Sequence, residues 1–192
     1  MKKSFFTLLL FVSSFLQINA QTQFELDGVV VPRTIEVNSG KKVQLNGFGT
    51  RAKAWVDVYV QALYLTTLSQ DAKFILDNET DMAIRIEIIS KLVTANKFKR
   101  AFENGFEKSC GDNLKQLEPK INTFKSFFDD EIVKGDVFVL SYSPLENTVY
   151  VTKNEKLKGK IEGTDFKMAL FGIWLSENPV DKDLKKELLG IQ

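Results

Sequence analysis

GTDFKMALFGIWLSENPVDKDLKKELLGIQ, residues 163–192, closes the chain and carries its most specific pattern. Thr164 stands where a helix cap belongs, and Phe166, Ala169, Leu170, Ile173 and Trp174 follow at helical spacing. Ser176, Glu177, Asn178 and Pro179 break that helix, and Asp181 can cap a second one that ends at Gly190. Two short helices packed at the C-terminus are the expectation from periodicity alone.

Upstream the pattern changes from helix to strand. Short β-prone runs at 24–31 and 34–37 alternate with turn residues Pro32 and Asn38-Ser39-Gly40. Strands are expected over 43–48 and 54–65. Within 55–65 the even positions are small or aliphatic apart from Tyr64, whereas the odd ones mix Trp, Asp, Tyr, Gln and Leu. Such a strand presents one side to covering helices and the other to something partly polar. Residues 82–90 alternate Ile84, Ile86 and Ile88 against Arg85 and Glu87, which marks a central strand. Thr94 caps a helix to about Cys110 whose Phe98, Ala101, Phe102, Gly105 and Phe106 recur at helical spacing. A helical region around Pro119, then strands at 136–143, 148–152 and 156–161, complete the order. Strands, helices, strands, helices without βαβ alternation predict an α+β fold: a large antiparallel sheet with helices over one face. An up-and-down barrel is the rival, and the long central helix opposes it.

The N-terminus has the pattern of an export signal. Lys2 and Lys3 precede an apolar run from Phe5 to Leu16, and Ile18-Asn19-Ala20 resembles a cleavage site. The run is shorter than the roughly 20 residues of a membrane span, and no cysteine follows it to carry a lipid anchor. The expectation is a signal peptide at 1–20 and one domain at 21–192, exported to the periplasm of a diderm host or secreted beyond it. No integral membrane segment is expected after cleavage. Without Lys2 and Lys3 the 26 basic residues become 24 against 25 acidic, a net charge of −1. That balance argues against nucleic acid as a partner. Cys110 is the only cysteine, which excludes an intramolecular disulfide and leaves a free, buried thiol or an intermolecular bridge. The chain has no histidine, which removes Ser-His-Asp and Cys-His catalysis, histidine-bound zinc and histidine-ligated haem. No EF-hand spacing occurs among the acidic residues, so neither a metal nor a cofactor is expected.

Five segments in the same order resemble the chalcone isomerase-like family in its bacterial exported branch. They are GVVVP at 28–32, LNGFGTRAKAWVDVYVQALYL at 45–65, Lys134 to Asp136 with Tyr142-Ser143-Pro144, GKIEGTDF at 159–166, and the C-terminal signature. The resemblance implies an open-faced β-sandwich, a large antiparallel sheet layered with helices around a cleft. Chalcone isomerases close a flavonoid ring by intramolecular addition, with a cation steering a phenolate and donors at the developing enolate. Carried over residue by residue, the arginine of that site falls on Arg51 and a strand threonine on Tyr59. The helical tyrosine, lysine and asparagine fall on Lys97, Arg100 and Asn104, and the terminal threonine on Ile173. Arg51 and Asn104 keep the family's residue and Arg100 keeps its charge. The helical tyrosine and terminal threonine are lost.

Each of these positions also has a plain structural reading. Arg51 after two glycines fits an exposed turn, Tyr59 a core tyrosine, and Lys97, Arg100 and Asn104 a solvated helix face. The resemblance therefore implies a non-catalytic binder of a small amphipathic or aromatic ligand, an anion such as a fatty acid, held beside Arg51. The alternatives are an isomerase or intramolecular lyase for another enone, and an export-pathway interaction module without a ligand.

Overall fold

The computed structural model of the chain describes residues 23–191. The expected signal segment at 1–20 lies outside them. Strands β1 (Gln23–Leu26) and β2 (Val29–Pro32) form a hairpin. Strands β3 (Thr34–Glu36), β4 (Lys42–Lys53), β5 (Val56–Leu65), β6 (Met82–Ile88), β7 (Val137–Ser143), β8 (Thr148–Lys153) and β9 (Lys156–Glu162) form one antiparallel sheet. Its strands lie in chain order, each paired with the next. Helices α1 (Ala72–Asp77), α2 (Ala95–Cys110), α3 (Leu114–Ser126), α4 (Thr164–Leu175) and α5 (Lys182–Leu188) complete the α+β fold. A 3₁₀ turn, Gly111–Asn113, joins α2 to α3. Among the described residues no helix is long and apolar enough to cross a membrane.

The strand expected at 43–48 is longer, and the one expected at 54–65 starts two residues later. β4 runs on to Lys53, and Ala54 and Trp55 make the tight turn into β5, both with positive φ (49° and 67°). Arg51 therefore sits inside a strand, opposite Tyr59 in the ladder. The two sides of β5 have the different covers that its alternation implies. Val60, Ala62 and Tyr64 pack with Val29, Val31, Val37 and Val43 beneath the β1–β2 hairpin. Tyr59, Leu63 and Leu65 face the helices. A hairpin of valines offers a thin, flat cover that suits small side chains, whereas helix side chains reach far enough to fill gaps between larger ones.

Between helices and sheet lies a phenylalanine cluster. Phe98 and Phe102 of α2 meet Phe124 and Phe128 edge to face, and Phe138 of β7 closes the group from the sheet side. Thr94 caps α2 as expected, its hydroxyl accepting from the Lys97 amide at 3.3 Å. Gly105 is tolerated in mid-helix because a Cβ there would come within 2.7 Å of Ile173; its absence lets α2 and α4 approach. α4 is buried on almost every side, as a helix between other layers must be.

Thr164 does not cap α4. Gly163 occupies the cap position with φ 116°, and the Thr164 hydroxyl donates instead to Asn147 at 2.9 Å. Asp181 does cap α5, its Oδ1 accepting from the amides of Asp183 (3.0 Å) and Leu184 (3.1 Å). Cys110 is a free, buried thiol. The short helix α1 is not visible in the periodicity, because six residues are too few to show it. Asp71 caps it, and Lys167 of α4 closes its other end by donating to the carbonyls of Leu76 and Asn78.

α5 lies directly on β4. A Cβ at Gly47 would stand 2.2 Å from the Glu187 carbonyl oxygen, and one at Gly49 would strike the Glu187 side chain. Positions 47, 49 and 51 share one side of the strand, so the row that seats the body of α5 leads to Arg51. Gly47→Ala should push α5 off the sheet, because the obstructing atoms are backbone. Overpacking of this kind costs about 1–3 kcal/mol. Chemical denaturation should show that loss while the mean sheet signal in circular dichroism stays unchanged.

Lys167 is wholly buried, and desolvation lowers its pKa to about 8 despite the pull of Asp77 and Glu79. Its folded value lies below the unfolded one, so between pH 8 and 10 the unfolded chain binds more protons and stability gains from rising pH. Below pH 8 the full penalty of a buried ammonium applies. Urea melts of the protein and of Lys167→Met over that window should therefore diverge. The native chain should gain relative to the variant by up to about 1.4 kcal/mol per pH unit, and parallel curves would refute the assignment.

Candidate functional site: a cleft between β4–β5 and α2–α4

A cavity of about 210 Å³ opens where the β4–β5 end of the sheet meets α2 and α4. Its floor is apolar: Val58, Ile86, Phe98, Phe102, Ile173 and Val180. Arg51, Tyr59 and Trp174 supply polar groups in the wall, and Lys53, Asn104 and Lys108 stand at the rim.

The electrostatics centre on Arg51. Its Nη1 donates to Asp181 Oδ2 at 2.6 Å and to the Ala52 carbonyl at 2.5 Å. Nη2 has only a long contact, 3.5 Å, to the Val180 carbonyl. One edge of the guanidinium is thus saturated by the protein and the other is available. Asp181 divides its oxygens between the two tasks, with Oδ1 capping α5 and Oδ2 holding Arg51.

Tyr59 is buried, and its hydroxyl oxygen accepts the Trp174 indole N–H at 3.3 Å. Burial raises its pKa; the Trp174 bond and the Arg51 charge counteract that, and Asp181 adds to it. The phenol remains protonated at neutral pH, and among the described residues nothing accepts its proton. A buried donor without an acceptor is costly unless something in the cleft takes the bond. An available guanidinium edge, an unused phenolic proton and apolar walls together can hold a carboxylate or another oxyanion with a hydrophobic body.

Of the residues singled out in the sequence, Arg51, Tyr59, Asn104 and Ile173 meet at this cleft. Lys97 and Arg100 do not. Lys97 lies one turn beyond the cleft on α2, and its ammonium returns to the Leu92 carbonyl at 3.0 Å. Arg100 faces away beside Lys99, Glu103 and Asn122 on the side of α3. The helix stripe that borders the cleft is Ala101, Asn104 and Lys108, a turn further along than an ungapped match over few residues suggests. Trp174, read from its spacing as bulk, is a hydrogen-bond donor to the site. Asp181, read as a cap, is also the counter-ion of Arg51. Lys53 and Lys108 carry no sequence signal that separates them from other surface lysines.

Gln61 was not singled out either. It is fully buried one rung from Tyr59 on the same side of β5, and neither atom of its amide has a partner among the described residues. Its ladder neighbour Ile86 lines the cavity.

Comparison with known proteins gives the family and the fold. No curated protein matches the chain significantly by sequence. Among solved structures, a fatty-acid binding protein of Arabidopsis thaliana has the same fold, with a TM-score of 0.70 at 18% sequence identity. The match covers 87% of this chain and 95% of the plant protein. The sequence pattern described as chalcone isomerase-like matches residues 23–190, nearly the whole described chain, and the protein belongs to that family.

Proposed function

We propose that the protein binds a small amphipathic anion, a fatty acid or similar carboxylate, with its head between Arg51 and Tyr59 and its chain on the apolar floor. The observation that carries this reading is the buried Tyr59 proton without an acceptor beside the available edge of Arg51. The plant fatty-acid binding protein with the same fold supports it by analogy. A cavity of about 210 Å³ is smaller than the roughly 300–1,000 Å³ typical of drug-sized ligands, so a short or medium chain fits best. Each methylene buried contributes about 0.8 kcal/mol, and the charge-assisted bonds at the head about 1.5–3 kcal/mol. These gains are set against the roughly 4–15 kcal/mol that association costs, so a bound chain must bury most of its methylenes. The N-terminal signal pattern supports an exported protein that acts in the periplasm or beyond.

The same two donors suit an enolate oxygen, so an intramolecular lyase acting on an enone is the second reading. Ile173 at the cleft, in place of a threonine, removes one polar group that such chemistry uses in the family.

Mass spectrometry of the purified protein, native and after denaturing extraction, should release a co-purified alkanoate that Arg51→Ala does not retain. In calorimetric titrations with decanoate, Arg51→Ala should bind at least tenfold more weakly. Asp181→Asn should bind several-fold more tightly, because it frees Arg51 while asparagine keeps the cap of α5. A native protein that binds no alkanoate at millimolar concentration would refute the proposal. Chalcone turnover above background, abolished in Arg51→Ala, would favour the lyase.

A further inference from the structure

Three hairpin turns of the fold have positive φ at both central residues: Asp27-Gly28, Ala54-Trp55 and Asn154-Glu155. This backbone favours Asn, Asp and Gly, which tolerate left-handed conformations. Two of the turns obey that preference at their first position. The third uses alanine followed by tryptophan, the bulkiest side chain available, at a φ of 67°. Turn formation does not account for Trp55. Core packing does not account for it either, because the ring is fully exposed.

A single exposed apolar residue is ordinary; the surroundings set this one apart. The turn is the tip of the β4–β5 hairpin, two residues beyond Lys53 and four beyond Arg51, both of which line the cleft. Lys108 stands on the same cleft from α2. Neither Lys53 nor Lys108 has an ion-pair partner among the described residues, whereas Arg51 is neutralised by Asp181. Asp57 is the one carboxylate in the arms of the tip, opposite Ala52. The result is an exposed indole ring at the tip of a hairpin whose arms reach the cleft, with the unpaired ammonium groups of Lys53 and Lys108 on that same cleft.

Tryptophan is the side chain most suited to the water–lipid boundary, where its apolar body and polar N–H are both satisfied. Lysines beside such a ring are drawn to anionic headgroups. We propose that the β4–β5 tip is a docking element for an anionic lipid surface, with Trp55 seated at the headgroup level and the cleft mouth turned toward the bilayer. The inference rests on the ligand reading only for what would be transferred; docking itself needs no cargo.

The test uses the purified protein with vesicles of phosphatidylcholine alone and of phosphatidylcholine with an equal part of phosphatidylglycerol. The chain has two tryptophans, and Trp174 is buried at 2% exposure, so a change in emission on adding vesicles reports Trp55. A blue shift with co-sedimentation on the phosphatidylglycerol vesicles is expected. Trp55→Ala should reduce partitioning at least tenfold while decanoate binding in solution is retained. Lys53→Gln combined with Lys108→Gln should erase the preference for phosphatidylglycerol. Docking is overturned if the native protein stays in solution with both vesicles, or if Trp55→Ala partitions equally well. It is also overturned if emission shifts with protein concentration alone, which would make the tip a contact between copies. Partitioning by a protein that binds no decanoate would support docking and refute the ligand reading separately.

Discussion

The backbone of α5 rests on β4 so closely that no Cβ fits at position 47, and the Glu187 side chain fills the space over position 49. Glycine at both positions allows the contact, and the same row of the strand continues to Arg51. The helix is thereby laid down with its N-terminal Asp181 against the guanidinium. Val180, immediately before it, becomes part of the cleft wall. The position of the site thus depends on a packing constraint several residues away from any functional group. A shift of α5 by one side-chain radius would separate Asp181 from Arg51 and open the cleft to water.

That ion pair also decides the character of the site. Removing an arginine from water is costly unless it is paired, and a partner within the protein supplies the compensation. With Asp181 in place Arg51 itself is neutralised, so on the proposed reading a carboxylate reaching it meets an oriented donor edge rather than a bare charge, while Lys53 and Lys108 keep the rim positive. Affinity then comes from two or three directed hydrogen bonds and from apolar burial. The unused Tyr59 proton gives the second directed bond, and Trp174 keeps the ring in place by occupying its oxygen from the other side.

Much of this architecture is legible from residue order. Alternation in 82–88 and helical spacing from Thr94 onward depend on local geometry, and the structure has those elements there. Other features depend on what lies above a residue. Alternation in β5 shows two different faces, but nothing local says that a valine hairpin covers Val60 and Ala62 while helices cover Tyr59 and Leu63. Asp181 is explained as a helix cap by one of its oxygens, so the role of the other is invisible until β4 is placed beside it. Lys97 and Arg100 were matched by counting along a helix, where an error of three or four residues returns to the same face at a different height. Trp174 reads as packing because spacing carries no information about where an indole N–H points.

The floor of the cleft limits what the site can accept. Phe98 and Phe102 belong both to the cavity lining and to the aromatic cluster with Phe124, Phe128 and Phe138. Deepening the cavity for a longer chain means moving rings that are each held by several partners, and each aromatic contact contributes about 0.5–1.5 kcal/mol beyond area burial. A ligand must recover that loss from its own added methylenes, at about 0.8 kcal/mol each. On the proposed reading, extension beyond the existing volume is therefore close to neutral at best, and chains that stop at the phenylalanines fit best. Gln61 stands two residues along β5 from Tyr59, buried and with its amide unpartnered, so the sheet behind the cleft already holds a polar group that a hydrocarbon could not satisfy.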